Sequence, residues 1–378
     1  MSLEPAHFFL NNYRHSGFWQ HIHQSRCARW HRTGQQKQMK KLYLLLAAIL
    51  IASTTFAQQQ LATLNHNDSI TVFYGGSALQ NAHAAAVAGD IITLSPGSFN
   101  SVNITKAITL RGAGMFSDTV AGTHPTVLLD NFTLTIEQDS LHSLYMEGIY
   151  CAGDYMNYSK VYNPRFVKCY FRSITYFNPN IMRDATFINC IITKFYNYYS
   201  SDYVNAYARN TQFINSVVMD GFYHDFGNPI FLNSIVSLSP NDIDKVSATN
   251  SIFYFNYYSS NPSVNSYTSF NCIGINTISG YIYFNYNGIP NHNLHNFNSY
   301  ESVFKTFRGS YNDGIDFQLV DSVAATCLGT DGTQLGIYGG MMPFDPSVRN
   351  PLIKKCNVAS RSTADGKLAV DIEIVSED

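Results

Sequence analysis

The residues with the clearest capacity for catalysis lie in one short stretch, Asp220-Gly221-Phe222-Tyr223-His224-Asp225. Its two carboxylates and its imidazole could act as paired acid and base, as glycoside hydrolysis and proton abstraction require. Together with Asp242 and Asp244, the carboxylates could also supply the hard oxygen ligands that calcium prefers. Asp and Gly are ordinary turn residues as well, so the alternative interpretation is a solvated turn without chemistry.

Loops rich in tyrosine and asparagine could bind sugars. A tyrosine ring offers a flat apolar face with a hydroxyl at its edge, which suits the CH-rich faces of sugar rings. The same rings could instead fill the interior of a wide fold, and the sequence leaves both interpretations open. The candidate binding residues are Tyr196, Tyr198, Tyr199, Tyr254, Tyr257 and Tyr258.

A recurring phrase predicts the framework that positions these residues. Each copy of the phrase has six residues: an aromatic or other residue, a spacer, Asn, Cys or Ser, and two apolar residues. An example is Phe187-Ile188-Asn189-Cys190-Ile191-Ile192. Successive Asn residues are 26, 18, 17 and 21 positions apart, close to the period of a solenoid coil. Because Asn tolerates a left-handed backbone, the pattern predicts two short strands joined at a bend. The expected buried ladder of stacked carboxamides consists of Asn189, Asn215, Asn233, Asn250 and Asn271.

The cysteines permit two interpretations. Six of the seven lie beyond residue 57, an even number that suggests disulfides in an exported chain. However, Cys169, Cys190 and Cys272 follow the bend, where serine stands in other repeats, and this favours buried thiols. A bridge between Cys169 and Cys190 stays open, since adjacent coils would bring them close. No Cys-x-x-Cys or His-x-x-x-His spacing indicates zinc.

The start of the repeat region resembles a known family. A capped helix predicted over Ser77–Gly89 is followed by Gly89-Asp90-Ile91-Ile92-Thr93-Leu94-Ser95-Pro96-Gly97-Ser98-Phe99 and by Ile108-Thr109-Leu110-Arg111-Gly112-Ala113-Gly114. Together with the Asn bends, this succession resembles the right-handed parallel β-helix proteins of the pectin-lyase-like superfamily. The resemblance implies an all-β solenoid whose helix covers the open end of the first coil, where strand edges would otherwise be unpaired.

The resemblance also implies an extracellular polysaccharide or cell-surface glycan as partner. Lyases of the superfamily generally use acidic residues that hold calcium and a Lys or Arg base, and its hydrolases use clustered Asp. The motifs Trp-Ile-Asp-His, Gly-His-Gly and Arg-Ile-Lys are missing from this sequence. We therefore expect a non-catalytic carbohydrate-binding or cell-surface module. The alternative is a polysaccharide lyase or glycoside hydrolase, with calcium as its cofactor.

Composition divides the chain into four parts. Met39-Lys40-Lys41, an apolar run to Ala52 and small residues ending at Ala57 form the pattern of a secretory signal peptide. We therefore expect residues 39–57 to direct secretion to the periplasm, cell surface or medium, and interpret residues 1–38 as a non-native upstream extension. Residues 58–342 are expected to form the β-helix, and residues 343–378 a linker and a hairpin that turns at Asp365-Gly366.

Removal of the signal would leave an acidic chain. Seven of the 24 Lys and Arg and one of the 26 Asp and Glu lie in residues 1–57, which leaves 17 basic and 25 acidic residues and a net charge of −8. Nucleic acid and anionic lipid need clustered Lys and Arg, so we expect neither as a partner. We also expect no membrane span after the signal is removed.

The exported protein is predicted to begin near Gln58 and to lack Trp19 and Trp30. A signal must stand at the amino end to be recognised and is then cleaved after small residues. Amino-terminal sequencing of the exported chain checks this, and residues 1–38 on that chain would contradict it.

Overall fold

The computed structural model describes residues 60–118, 123–136, 141–157, 161–176, 182–197, 208–222, 229–238, 243–255, 263–277, 283–285, 294–310, 316–348, 352–358, 366–367 and 370–375. The chain divides into two units, Met1–Gln58 and Gln59–Asp378, and all the described residues belong to the second.

The described residues form many short strands and two helices, α1 (Ala78–Ala85) and α2 (Asp321–Thr326). In chain order the strands are β1 (Leu61–His66), β2 (Ser69–Tyr74), β3 (Ile91–Leu94), β4 (Gly97–Phe99), β5 (Thr109–Arg111), β6 (Thr126–Leu128), β7 (Phe132–Leu134), β8 (Tyr145–Glu147), β9 (Ile149–Asn157), β10 (Val161–Tyr162), β11 (Arg165–Val167), β12 (Tyr170–Tyr176), β13 (Met182–Arg183), β14 (Thr186–Ile188), β15 (Ile191–Asn197), β16 (Ala208–Arg209), β17 (Gln212–Ile214), β18 (Val217–Phe222), β19 (Ile230–Leu232), β20 (Ile235–Leu238), β21 (Ile243–Thr249), β22 (Ile252–Phe255), β23 (Ser263–Phe270), β24 (Ile273–Asn276), β25 (Tyr283–Asn285), β26 (His295–Phe297), β27 (Leu352–Val358) and β28 (Val370–Val375).

The strands stack into two long sheets that run side by side. The first sheet has the order β2-β1-β3-β5-β8-β11-β14-β17-β19-β21-β23-β25. The second runs β26-β24-β22-β20-β18-β15-β12-β9-β6-β4, with β7 beside β9, and β10, β13 and β16 form a small third sheet. From β3 onward the pairs in these sheets are parallel, because each coil lays its strand against the same strand of the next coil. The expected all-β parallel β-helix is confirmed.

Phenylalanines from successive coils stack in the interior. Phe166, Phe187, Phe213 and Phe231 are register partners on neighbouring strands of the first sheet, and all four are fully buried. Their ring centroids are 4.8, 5.2 and 5.1 Å apart along this row, close to the spacing of about 4.8 Å between strands. The strand spacing therefore brings the rings into face-to-face contact without further adjustment.

A single residue in the left-handed conformation joins the two sheets in each of these coils. The five repeated Asn residues have φ between 47 and 54°. In the coil before Asn189 the bend residue is Lys168, with φ 52°. In the coil before that, the bend residue is Gly148, with φ 65°. Asn adopts this conformation at a lower cost than most residues, which explains why it recurs at the bend.

Hydroxyl and thiol side chains form the buried ladder between coils. The backbone N–H of Cys190 donates to Ser216 Oγ at 3.1 Å, that of Ser216 to Ser234 Oγ at 3.2 Å, and that of Ser234 to Ser251 Oγ at 3.1 Å. The Ser234 hydroxyl in turn lies 2.9 Å from two carbonyl oxygens that it can donate to, that of Leu232 in its own coil and that of Phe213 in the preceding coil. These side chains have essentially no exposure, so the ladder satisfies backbone groups that water does not reach.

The thiols at this position are free, as the sequence predicted. Cys169, Cys190 and Cys272 are buried and unbridged, and so are Cys151 and Cys327. Cys190 Sγ lies 3.3 Å from the carbonyl oxygens of Phe166 and Ile188, in the place of a serine hydroxyl. Burial raises the pKa of the Cys190 thiol well above its usual value, which keeps the group protonated as a weak donor.

The two sheets differ in what covers their outer faces. On the second sheet an apolar stripe that includes Ile191, Val217 and Ile235 is buried against a later part of the chain. That part contributes Val303, Phe304, Phe307, Phe317 and Leu319, followed by Leu335 and Ile337. The outer face of the second sheet is therefore a second core, separate from the interior of the coil.

A helix and a strand pair accompany the solenoid, as the sequence predicted, although the helix ends at Ala85 and not near Gly89, and the Ser77 side chain makes no capping hydrogen bond. Helix α1 buries Ala78, Leu79 and Ala82 in the coil core beside β1, β2 and β3, and Lys106 Nζ donates to three carbonyls at its end, those of His83, Ala84 and Ala86. Strands β27 and β28 form an antiparallel pair, as expected for the add-on. None of the helices in the described ranges is long and apolar enough to cross a membrane.

Replacing Ser234 with alanine is predicted to destabilise the fold by about 1–3 kcal/mol, because the buried N–H of Ser216 would lose its acceptor. Ser234→Cys should lose less, since thiols already serve at this position. Urea denaturation measures both, with Ser69→Ala on exposed β2 as control. An alanine variant as stable as the control would contradict the hydroxyl ladder.

Candidate functional site

The structure describes only part of the predicted acid-base loop. Asp220 lies on β18 of the second sheet, with Lys194 of β15 as its register neighbour, and Asp244 lies on β21 of the first sheet. The remaining residues of this hypothesis, His224, Asp225 and Asp242, lie outside the described residues. Among the residues that the structure does describe, no three His, Cys, Asp or Glu side chains could together hold a metal ion. The acid-base and calcium hypotheses stay predictions.

Only two of the six candidate tyrosines, Tyr196 and Tyr254, lie among the described residues. Tyr254 on β22 is 1% exposed and packs edge-on against Tyr300 and Phe307, at centroid distances of 5.9 and 5.3 Å. This ring belongs to the core over the second sheet and presents no face to a sugar. Tyr196 lies on β15 beside Thr175. The other candidates, Tyr198, Tyr199, Tyr257 and Tyr258, lie outside the described residues.

A cluster of charged and phenolic side chains lies on the outer face of the first sheet. Strands β5, β8 and β11 are neighbours there, and their central residues Leu110, Met146 and Phe166 are buried. Residues on either side of these three must therefore point outward, since side chains alternate along a strand. The outward residues Arg111, Tyr145, Glu147 and Arg165 form a cluster that we call the Tyr145 patch.

The patch contains one ion pair and one cation without an acidic partner. Arg111 Nε lies 3.5 Å from Glu147 Oε2, and their side chains are 51% and 22% exposed. Arg165 is exposed, and no carboxylate in the described part of the chain pairs with it. The patch thus carries one net positive charge on a chain that is acidic overall.

Tyr145 is held in its protonated form. Its partial burial, followed by the charge of Glu147 and a hydrogen bond to that carboxylate, raises the pKa of Tyr145 to about 12, although Arg111 and Arg165 act in the opposite direction. The phenol is therefore neutral at physiological pH and can donate a hydrogen bond. It is not a tyrosinate base there, because the anion would be a very small fraction of the population.

Polar side chains extend the patch along the sheet. Thr109, Tyr145, Arg165, Thr186 and Gln212 are successive register partners on five neighbouring strands, and all are at least partly exposed. Parallel pairing repeats this row at about 4.8 Å per strand. The result is a continuous strip of hydrogen-bonding groups along the solenoid.

The row of Asn bends between the two long sheets is covered by a later part of the chain. Residues 329–348, which we call the closing segment, lie along it. Asn215 Nδ2 donates to Ile337 O at 2.8 Å and to Gly339 O at 2.7 Å, and Asn250 Oδ1 accepts from the N–H of Thr330 at 3.0 Å. These described hydrogen bonds join bend to closing segment and not one carboxamide to the next. Asn189, Asn215, Asn233 and Asn250 are all at most 9% exposed.

The closing segment continues to the earlier coils. Lys168 Nζ lies 3.2 Å from Asp345 Oδ2 and also donates to Ser347 O, and Val348 lies against Gly148. Gly340 has φ 79°, and a side chain there would approach the Asn233 carboxamide to within 3.0 Å. Glycine is therefore required where the segment crosses Asn233, for its backbone conformation and for its size.

Comparison of the chain with protein-family models, with curated proteins and with solved structures found no match.

Asn215→Gly is predicted to cost about 1–2 kcal/mol, because it keeps the left-handed bend but leaves two carbonyls of the closing segment without their donor. Asn233→Gly is the matched control and should cost less, since Asn233 Nδ2 has no hydrogen-bond acceptor among the described residues. Urea denaturation of both variants measures the difference. Equal losses would show that the carboxamide of Asn215 contributes nothing through these contacts.

Proposed function

We propose that this protein is a secreted, non-catalytic β-helix that binds an extracellular or cell-surface polysaccharide through the Tyr145 patch and its polar row. The observation that carries the proposal is the outward row of phenol, guanidinium, hydroxyl and amide groups on five neighbouring strands of the first sheet. Such a surface offers repeated hydrogen bonds to an extended chain of hydroxyl-bearing rings. The solenoid supplies this repetition without any additional element.

The charges of the patch favour an acidic sugar. Arg165 is exposed without a carboxylate partner in the described part of the chain, and a guanidinium recognises a carboxylate or sulfate group through paired hydrogen bonds. A polymer charged at every sugar would meet repulsion from a mature chain of net charge −8. We therefore infer a heteropolysaccharide in which acidic sugars alternate with neutral ones.

The chemistry of the patch supports binding over turnover. Tyr145 has a pKa of about 12 and does not provide a base at neutral pH, and the Glu147 carboxylate lies beside both Arg111 and the Tyr145 phenol. A general base needs a pKa near the working pH, and the pKa of Tyr145 lies well above neutral pH. These groups are suited to hold a ligand.

Membership of the pectin-lyase-like superfamily, right-handed coiling and secretion are part of the same proposal. The helix, the strands that follow it and the left-handed Asn bends support the family. The signal-like segment of residues 39–57 supports secretion.

A panel of neutral, acidic and sulfated glycans tests the proposal. Arg165→Gln should weaken binding of an acidic glycan about tenfold or more, because it removes a charge-assisted hydrogen bond. The matched control is Arg172→Gln, which removes the same charge from an exposed arginine of β12 in the second sheet and should bind normally. Isothermal titration calorimetry measures both.

Two results would overturn the proposal. Equal weakening by both arginine variants would remove the Tyr145 patch as the binding surface. Release of unsaturated sugars, seen by ultraviolet absorbance, or of new reducing ends, with or without calcium, would replace the binding module with the lyase or hydrolase alternative.

A further inference from the structure

The first strand pair presents an exposed apolar edge. Strand β2 is the terminal strand of the first sheet in the described part of the chain, and it pairs with β1. Ile70, Val72 and Tyr74 lie on its outward face and are 67, 38 and 59% exposed. Phe73 lies on the opposite face and packs against the core, so the strand is firmly attached to the coil.

Strand β2 carries no charge, proline or bulge that would keep its outer edge from pairing, and no strand in the described part of the chain pairs with that edge. Edge strands are usually protected by charged side chains, proline, a bulge or a covering element. The sequence Ser69-Ile70-Thr71-Val72-Phe73-Tyr74 contains no charged residue, proline or glycine, and its pairing with β1 is regular over all six residues. Such an edge is suited to pair with another strand.

The sequence of β2 is complementary to itself. In an antiparallel pair, residues that lie opposite each other share a face of the sheet. If two copies of β2 meet about a twofold axis at Val72, Ile70 lies opposite Tyr74 of the second copy and Val72 opposite Val72. On the other face, Thr71 lies opposite Phe73. Every outward pair is then apolar.

The charges around β2 permit the same register. Asp68 is the acidic residue nearest to the strand, and this pairing sets it opposite Gly76 of the second copy. The register therefore places no like charges opposite each other. A twofold axis also closes the contact, since each copy uses its single β2 edge and leaves none for a third chain. We propose that two copies of this chain form a dimer through antiparallel pairing of β2 with β2.

The dimer would join the first sheets of both copies into one continuous sheet. The axis stands perpendicular to that sheet, so the outward faces, and with them both Tyr145 patches, lie on the same side. Strand β8 is four strands from β2, which separates the two patches by nine strand spacings, about 43 Å at about 4.8 Å per strand. Resting on the proposed function, this implies that long glycans bind bivalently and gain avidity, whereas fragments shorter than the separation do not.

Multi-angle light scattering of the full exported protein tests the dimer without any glycan. The unaltered chain should have the mass of a dimer. Val72→Lys sets two ammonium groups opposite each other at the axis and should give a monomer at the same concentration, with an unchanged circular dichroism spectrum. A mixture of Val72→Lys with Val72→Glu should restore the dimer mass, since opposite charges then meet.

Leu129→Lys is the matched control, because Leu129 is a 48% exposed leucine away from β2, and it should stay dimeric. A monomeric unaltered chain would overturn the proposal, whether β2 is then left open or covered by another partner. Equal dissociation by Leu129→Lys, or open-ended aggregates in place of a dimer, would also overturn it. Failure of glycan binding alone would leave the dimer standing and contradict only the proposed function.

Discussion

The left-handed bend between the two long sheets is the constraint on which the rest of the structure depends. The chain bends from the first sheet to the second at one residue, and the five repeated Asn residues adopt positive φ there, at 47 to 54°. The residue after the bend then has a buried N–H, which the hydroxyl of the next coil accepts, as Ser234 does for Ser216. This hydrogen bond fixes the height of each coil relative to its neighbour and brings the phenylalanines into their stack.

Once the coils are in register, inward and outward positions are fixed, and the two outer faces have different roles. The second sheet carries branched apolar residues such as Ile235 and Ile252, and the chain returns to cover them. Around β5, β8 and β11 the first sheet carries partly exposed polar residues between buried ones, as Tyr145 and Glu147 flank Met146. A functional surface is therefore expected on the first sheet, where the side chains can meet a ligand.

The sequence predicted the fold well because its signal is local and repeated. Asn marks five of the bends, Ser or Cys follows each of these Asn residues, and strand alternation surrounds them, so the coil could be derived without any long-range information. The Tyr145 patch could not be derived, since its strands are centred on Leu110, Met146 and Phe166, and the unequal intervals between them hide their alignment. For Tyr254 the sequence left a sugar-binding and a core role open for a related reason: it faces outward on its strand, and only the return of residues 300–307 buries it. Local patterns predict which side of a strand a residue occupies, but not what later covers that side.

The closing segment changes how such a solenoid is expected to fold. In a stack of coils each unit contacts only its neighbours, so the stack can open from either end with little effect on the rest. Here the closing segment contacts the later coils first and the earlier coils last. It passes from Asn250 through Asn215 to Lys168 and Gly148. The hydrogen bond from Lys168 to Ser347 joins residues 179 positions apart in sequence, and the contact of Val348 with Gly148 spans more. They can form only after the coils beneath them exist, which gives the chain a late, slow step of high contact order and makes coils that do not touch each other unfold together.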